Sequence, residues 1–312
     1  MKTLSLKDQG ELLYSISSSN SPRLFIEPGE TINVETEDAF SGQIRKEGDT
    51  RDFTKIPYSN PQTGPIYVKG AEAGDTLSVS IQDIRPTIGQ GATRIVSFWY
   101  PAKYDTQALQ KLLGAERAVP ERPVICKISD GKVYFENYVM PYSPMIGTIS
   151  TADPIESYLP WFPGPHGGNM DIPDIAVGST VFLPVLTRGA LLHLGDVHAI
   201  QGDGELSGTA VEMPAMTTLK IDLVKNHKIS WPRLETSDGL YTISASETGR
   251  TFDEAVRLAF LELVLWLEKD YDMNRWLAFE LLSLVAKVRI GNFWTVEVGI
   301  PKRYLGTASG SV

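Results

Sequence analysis

The sequence predicts a mainly β protein, a β-sandwich or barrel-like body with a small C-terminal α+β unit. Three observations predict it. Of the 27 glycines and 20 prolines, 21 and 18 are scattered through residues 1–230 with short β-branched runs between them, the punctuation of strands joined by turns. One pattern recurs in Pro28-Gly29-Glu30-Thr31, Ala73-Gly74-Asp75-Thr76 and Val177-Gly178-Ser179-Thr180, where a turn glycine, a small or acidic polar residue and Thr lead into an apolar alternation. Helical periodicity is clear only after residue 250.

Each element follows from its local pattern. The three recurrent segments read as tight turns feeding strands, and their unequal spacing fits a sandwich rather than a solenoid. Thr251-Phe252-Asp253-Glu254 is a capping box, and Ala255, Leu258, Ala259, Leu261, Leu263, Val264 and Leu267 then give an apolar face at spacings of three and four. A second helix is expected from about Asp272 to Ala286, with Trp276, Phe279, Leu282 and Val285 on its buried side. Asp238 to Ser246 and Phe293 to Gly299 read as flanking strands. The expected organisation is therefore a β-rich body over 1–230 and a unit over 231–312 made of strand, two helices and strand.

At 312 residues the chain exceeds the size at which single cores stop growing, which favours two units or one large β domain with an appendage. Lys and Arg number 29 against 38 Asp and Glu, a net charge of −9, which disfavours nucleic acid or an anionic membrane surface as partner. Cys126 stands alone, so disulfides within the chain and cysteine zinc clusters are excluded, and a reducing compartment is expected. The N-terminus runs into Asp8 and Glu11 without an apolar targeting core, and no apolar run has the length of a spanning helix. The expected location is cytoplasmic.

Polar residues among glycines are densest from Trp161 to Glu212, a stretch that holds three of the four histidines. Glycine weakens a strand, so Asp, His, Gln and Glu placed between glycines point to loops carrying a site. Asp196 and His198 are two residues apart and project to one face of an extended segment, as two ligands of one divalent ion must. Zinc accepts imidazole with carboxylate and, with an open position, lowers the pKa of its water to about 7. Asp171, after the Gly167-Gly168-Asn169 turn, is placed to supply a third ligand. The competing reading is a hydrogen-bonded turn in which Asp196 caps backbone N–H groups. Gln201, Asp203 and Glu205 alternate with glycines and present three acceptors on one rim. A calcium site is a further reading of that rim, although the EF-hand pattern is not met. His193 is expected to face away from His198 as a satisfied histidine, and His227 to be solvated. No Gly-x-Ser-x-Gly elbow and no phosphate loop is present, and Cys126 has no nearby base, which disfavours nucleophilic Ser or Cys catalysis and nucleotide binding.

Pro163-Gly164-Pro165-His166-Gly167-Gly168-Asn169-Met170-Asp171, followed by Gly195-Asp196-Val197-His198-Ala199-Ile200-Gln201-Gly202-Asp203-Gly204-Glu205 and Gly208-Thr209-Ala210-Val211-Glu212, closely resembles the acetamidase/formamidase family. Upstream, Glu35 to Asp38 with Gly42 and Gln43, Asn60-Pro61 with Thr63 to Ile66, and Pro144 to Gly147 look like further family blocks, as does Glu280 to Ser283 downstream. The resemblance implies a β-sandwich-rich body, hydrolysis of small linear amides to carboxylate and ammonia, a divalent metal with zinc as the usual suggestion, and a homo-oligomer. Carried to this chain, it implies Asp171, Asp196 and His198 as metal ligands and Glu205 with Gln201 as catalytic residues. His166, Asn169, Asp203 and Glu212 are then expected to bind substrate. Thr148 to Asp153 departs from the family's more usual Gly-Val-Ala-Pro type run, which implies a differing pocket. The alternative to an enzyme is a β-sandwich protein holding a structural ion or a polar ligand.

Overall fold

In the computed structural model, which describes residues 1–96, 122–246 and 249–305, the turn punctuation resolves into strands packed as sheets. Along the first part run β1 (Lys2–Leu4), β2 (Leu24–Ile26), β3 (Glu30–Thr36), β4 (Gln62–Val68), β5 (Thr76–Pro86), β6 (Gln90–Thr93), β7 (Val124–Ser129), β8 (Lys132–Phe135) and β9 (Tyr138–Pro141). The site region holds β10 (Met145–Ser150), β11 (Gly167–Asn169), β12 (Thr180–Pro184), β13 (Leu192–His198) and β14 (Ala215–Val224). The C-terminal part adds β15 (Arg233–Glu235), β16 (Gly239–Ala245), β17 (Lys287–Ile290) and β18 (Thr295–Pro301). Helix α1 (Leu6–Gln9) is a single turn, whereas α2 (Phe252–Tyr271) and α3 (Arg275–Val285) form a hairpin.

The strands make a nine-stranded sheet in the order β1-β3-β14-β5-β12-β15-β16-β18-β17, a five-stranded sheet β11-β10-β13-β4-β2 and a four-stranded sheet β6-β7-β8-β9. Gly29, Gly74 and Gly178 all take positive φ, and the three repeated turns open β3, β5 and β12 of the same large sheet. Val34, Val79, Val181 and Leu219 from that sheet share one core with Ile146, Ile149, Leu194 and Val197 from the five-stranded sheet. This is the mainly β body expected from the sequence.

Residue 230 marks no break in the sheet, because β12 of the body pairs directly with β15. What divides the two parts is the alternation of β16. Tyr241 and Ile243 face the body core, whereas Leu240 joins a second core with Val296, Val298, Ile300 and the inner residues of α2 and α3. Thr242 and Ser244, on that same second face, donate their hydroxyls to the carbonyls of Ala259 and Ala255 in α2. β16 and β18 are consequently buried along their whole length. Among the described residues no helix is long and apolar enough to cross a membrane.

The capping box is present as expected, with Thr251 accepting from the Glu254 N–H and Glu254 from that of Thr251. Three helix positions differ from expectation. Leu261, Trp276 and Phe279 are 51%, 70% and 51% exposed, while Ala278 and Leu282 take the inner face of α3. Apolar residues occupy more than one stripe of both helices, so periodicity alone cannot choose the inner one. The small side chains of Ala255, Ala259 and Ala278 choose it here by allowing close approach.

This packing makes a prediction. Ala259 is fully buried and its carbonyl lies 2.6 Å from Thr242 Oγ1, so Ala259→Leu should push α2 off the sheet. The expected loss is about 1–3 kcal/mol in urea unfolding, and an unchanged midpoint would refute the close approach.

Candidate active site

The end of β13 carries Asp196 and His198, and three further carboxylates close on them. His198 Nε2 lies 3.4 Å from Asp196 Oδ1 and 3.1 Å from Glu212 Oε2. One ligand-type atom from each of Asp171, Asp196 and His198 falls within 4.8 Å of the others, and the same holds for His198, Glu205 and Glu212. His198 belongs to both groups, so five side chains meet in one buried space.

Local backbone makes this possible. Asp171, Asp196 and Glu205 take φ of 48°, 58° and 44°, the left-handed region that costs a non-glycine residue energy and concentrates at functional sites. Asp196 is therefore not extended as the two-residue spacing supposed, although its side chain still converges with that of His198. Ile146 pairs with Val197 and Thr148 with Gly195, which sets Gly147 of β10 against Asp196. A Cβ on Gly147 would stand 2.6 Å from Asp171 Oδ1 and 2.8 Å from Asp196 Oδ2, filling the space between the two carboxylates.

Asp171, Asp196, His198 and Glu212 are each anchored by one atom and turn another inward. Asp171 Oδ2 accepts from Asn169 Nδ2 at 2.6 Å and Asn292 Nδ2 at 2.8 Å, while its Oδ1 has no hydrogen-bond partner. Glu212 Oε1 accepts from the Ala210 N–H at 2.9 Å, while its Oε2 has none. Asp196 Oδ2 accepts from Thr148 Oγ1 at 3.2 Å. The Gln201 amide nitrogen donates to the carbonyls of Asp171 and Gly291, which turns Oε1 toward His198 Nδ1 at 2.9 Å. An acceptor there keeps a proton on Nδ1, so that in the neutral imidazole Nε2 is the nitrogen left for a metal, as in a ligating histidine held by its second shell. Nε2 indeed has no hydrogen-bond partner. Bare Asp171 Oδ1, Glu212 Oε2 and His198 Nε2, with Gly147 leaving room between Asp171 and Asp196, are a donor set that fits a divalent cation.

The electrostatics agree. Burial first, and then the Asp196 charge, raise the Asp171 carboxyl to about 7. Burial raises Glu212 to about 7 as well, with Asp196 adding to it. Glu205 is pushed well above its ordinary value by burial and then by Asp171. For His198 burial works against the charged form, but Glu212 and Asp196 outweigh it and raise the imidazole well above its usual value. Without a cation, the cluster holds protons.

The structure brings together Asp171, Asp196, His198, Glu205 and Glu212, with Gln201 and Asn169 as anchors behind them. It does not bring Asp203 there. The turn after Gly202, with positive φ at Gly204 and Glu205, breaks the supposed alternation, and Asp203 instead pairs with Arg289 at 2.7 Å at the surface. His166 is buried, stacked on Tyr158 with ring centroids 4.0 Å apart, and its electrostatic neighbour is Asp153 rather than the cluster. His227, expected to be solvated, is instead part-buried and paired with Asp270 at 3.1 Å. His193 is a satisfied buried histidine, bonded to Leu191 O and Asn20. Asn292, Gly147, Thr148 and Arg289 were not anticipated. Only Gly147 and Thr148, inside a quoted family block or beside it, gave any signal.

Comparison with known proteins places this geometry. The sequence model of the Acetamidase/Formamidase family matches residues 20–130 and 161–291. The acetamidase of Mycolicibacterium smegmatis is 26% identical over 64% of this chain, and the formamidase of Methylophilus methylotrophus 24% over 64%. The matched stretch spans 63% and 61% of those relatives' own length. Among solved structures, acetamidase from Yersinia enterocolitica superposes with a TM-score of 0.88 at 38% identity, covering 98% of this chain and 93% of that one. Acetamidase from Bacillus halodurans gives 0.86 at 32% identity, covering 99% and 100%.

The raised acids set a sign for stability. A carboxyl at about 7 in the folded chain and near 4 unfolded favours folding below pH 4 and loses that advantage as pH rises through 7; raised His198 acts in the same direction. Protein treated with a chelator should therefore lose thermal stability between pH 5 and 8, and an added divalent cation should restore most at the upper end. Melting curves across that range check it, and a chelated protein that gains stability up to pH 8 would contradict the cluster. Gly147→Ala should abolish the cation's effect while the chelated protein still folds.

Proposed function

The chain belongs to the acetamidase/formamidase family, and from that premise we propose that it hydrolyses short linear amides to carboxylate and ammonia with the help of a divalent ion. The observation that carries the reading is the set of bare inward atoms on Asp171, Glu212 and His198. Asp171, Asp196 and His198 are the residues that would hold the ion, with Glu212 beside them. An imidazole among carboxylates supports zinc over calcium, which takes oxygen ligands. When bound, such an ion supplies Lewis-acid polarisation of the amide carbonyl and a more acidic water.

The chain's own groups do the rest. Glu205 is the one member of the cluster whose residue is not fully buried, so it faces the route of entry. As water adds to the carbonyl carbon, its proton passes to the Glu205 carboxylate. The same proton then passes to the amide nitrogen, the C–N bond breaks and ammonia leaves, and the carboxylic acid left behind gives its remaining proton to that ammonia or to water, ending as carboxylate. Gln201 keeps His198 in one tautomer throughout, and Asn169 and Asn292 hold Asp171 in place. Sealing the four other side chains from bulk water strengthens each of these interactions.

Self-association and a cytoplasmic setting belong to the same reading. Exposed Trp276, Leu277 and Phe279 on α3 support a second copy covering that helix, and the buried free thiol of Cys126 supports a reducing compartment. No nucleic-acid or membrane partner is proposed.

Ammonia release from formamide, acetamide, propionamide and longer amides tests the activity, and elemental analysis tests the ion. Glu205→Gln should lower kcat by roughly 10²- to 10⁴-fold with KM and bound metal nearly unchanged. A parallel loss of metal would make Glu205 a ligand instead. Metal retained with no amide turned over would favour a structural ion.

A further inference from the structure

Three residues after Asp171 the chain borders a second concave space, part open to solvent. Asp174, Asp238, Tyr241, Lys287, Arg289 and Glu297 line a cavity of about 330 Å³, within the range of small-molecule pockets. Glu297 in its wall is 0% exposed, and neither of its carboxylate oxygens has a hydrogen-bond partner. Arg289 is its partner across the β17–β18 ladder, but the guanidinium is committed elsewhere, to Asp174 at 2.5 Å and Asp203 at 2.7 Å. One guanidinium thus serves two carboxylates and leaves the third unanswered. Burial, and then the facing Asp174, push the Glu297 carboxyl well above its ordinary range.

The rest of the wall selects for charge and shape. Asp174, Asp203, Asp238 and Glu297 stand against Arg289 and Lys287, so the surroundings lack positive charge. Tyr241 lies across the backbone of Gly239 and Gly299, where any Cβ would strike its ring. A buried unpaired carboxylate beside an aromatic ring is the environment that recognises an organic cation.

We propose that this cavity binds a small organic monocation bearing an alkylammonium or guanidinium group, with its charged head on Glu297 and its carbon chain along Tyr241. The site is separate from the cluster around His198 and uses none of its five side chains.

Calorimetric titration of butylammonium chloride into the full chain at constant ionic strength tests the proposal, with 1-butanol as the neutral control. Saturable binding of the cation and none of the alcohol is expected. Glu297→Gln should weaken binding at least about tenfold, the loss of one hydrogen-bonded charge. It should also leave the ligand-free melting temperature equal or higher, because a neutral group of the same shape relieves a buried unpaired acid. A purely structural Glu297 would give the reverse, a lower melting temperature with binding unchanged, and that would overturn the proposal. Tyr241→Leu and Asp238→Asn carry the test if Glu297→Gln fails to fold, each weakening binding. His198→Ala should bind the cation as the parent does. Absence of saturable binding, or loss of binding in His198→Ala but not in Glu297→Gln, would overturn the assignment, the latter by sending the cation to the carboxylate cluster.

Discussion

Asp171, Asp196, Glu205 and Glu212 share one buried space with His198, and like charges in a low-dielectric setting must be answered by protons or by a cation. Much of the surrounding structure follows from that constraint. Anchors from outside hold one atom of each group, the two amides on Asp171 Oδ2, the Ala210 N–H on Glu212 and the Gln201 oxygen on His198. The amide and backbone N–H donors stabilise the charged carboxylates without neutralising them, so the inward atoms keep their appetite for positive charge. Gly147 leaves the room in which that charge would sit.

Most of the anchoring comes from a distance along the chain. The turn between β17 and β18 supplies Asn292 to Asp171 and the Gly291 carbonyl to Gln201, and the first residue of β18, Thr295, donates to the carbonyl of Met170. Arg289, just before it, ties the loop after Asp171 to the loop before Glu205 by bonding Asp174 and Asp203 together. The C-terminal unit is thus part of the site, and the helices bear on it at one remove. α2 packs on β16 and β18 from behind through alanines and leucines, and β18 follows directly on the turn that holds Asn292.

This explains how much was legible in the sequence. Asp171, Asp196, His198, Gln201, Glu205 and Glu212 lie in three nearby motif blocks, where glycine spacing and residue type carry the signal. The large sheet was legible at β3, β5 and β12 because turn chemistry is local. Asn292 and Arg289 were not, since they act across 121 and 86 residues and nothing in their own neighbourhood marks them. Asp203 misled because alternation assumes extended backbone, and the positive φ of Gly204 and Glu205 turns it away. Trp276 and Phe279 misled for the converse reason, since a helix with more apolar surface than it buries does not declare its inner face.

The difference between a held ion and a working one comes down to access. A structural ion is fully enclosed by its ligands, whereas a catalytic one keeps a position open to the outside. Asp171, Asp196, His198 and Glu212 are each no more than 3% exposed. Glu205 differs, because its backbone sits in a surface turn next to Leu206, which is 77% exposed, while its side chain comes within reach of His198 and Glu212. Left-handed φ at Glu205 is what lets one residue satisfy both conditions, and that conformation is unfavourable for a side chain unless the surroundings impose it. A turn that existed only to close the surface would place glycine or asparagine there. Among the described residues Glu205 is thus the member of the cluster that combines an inward side chain with a backbone at the surface, the placement that the proposed proton transfer requires.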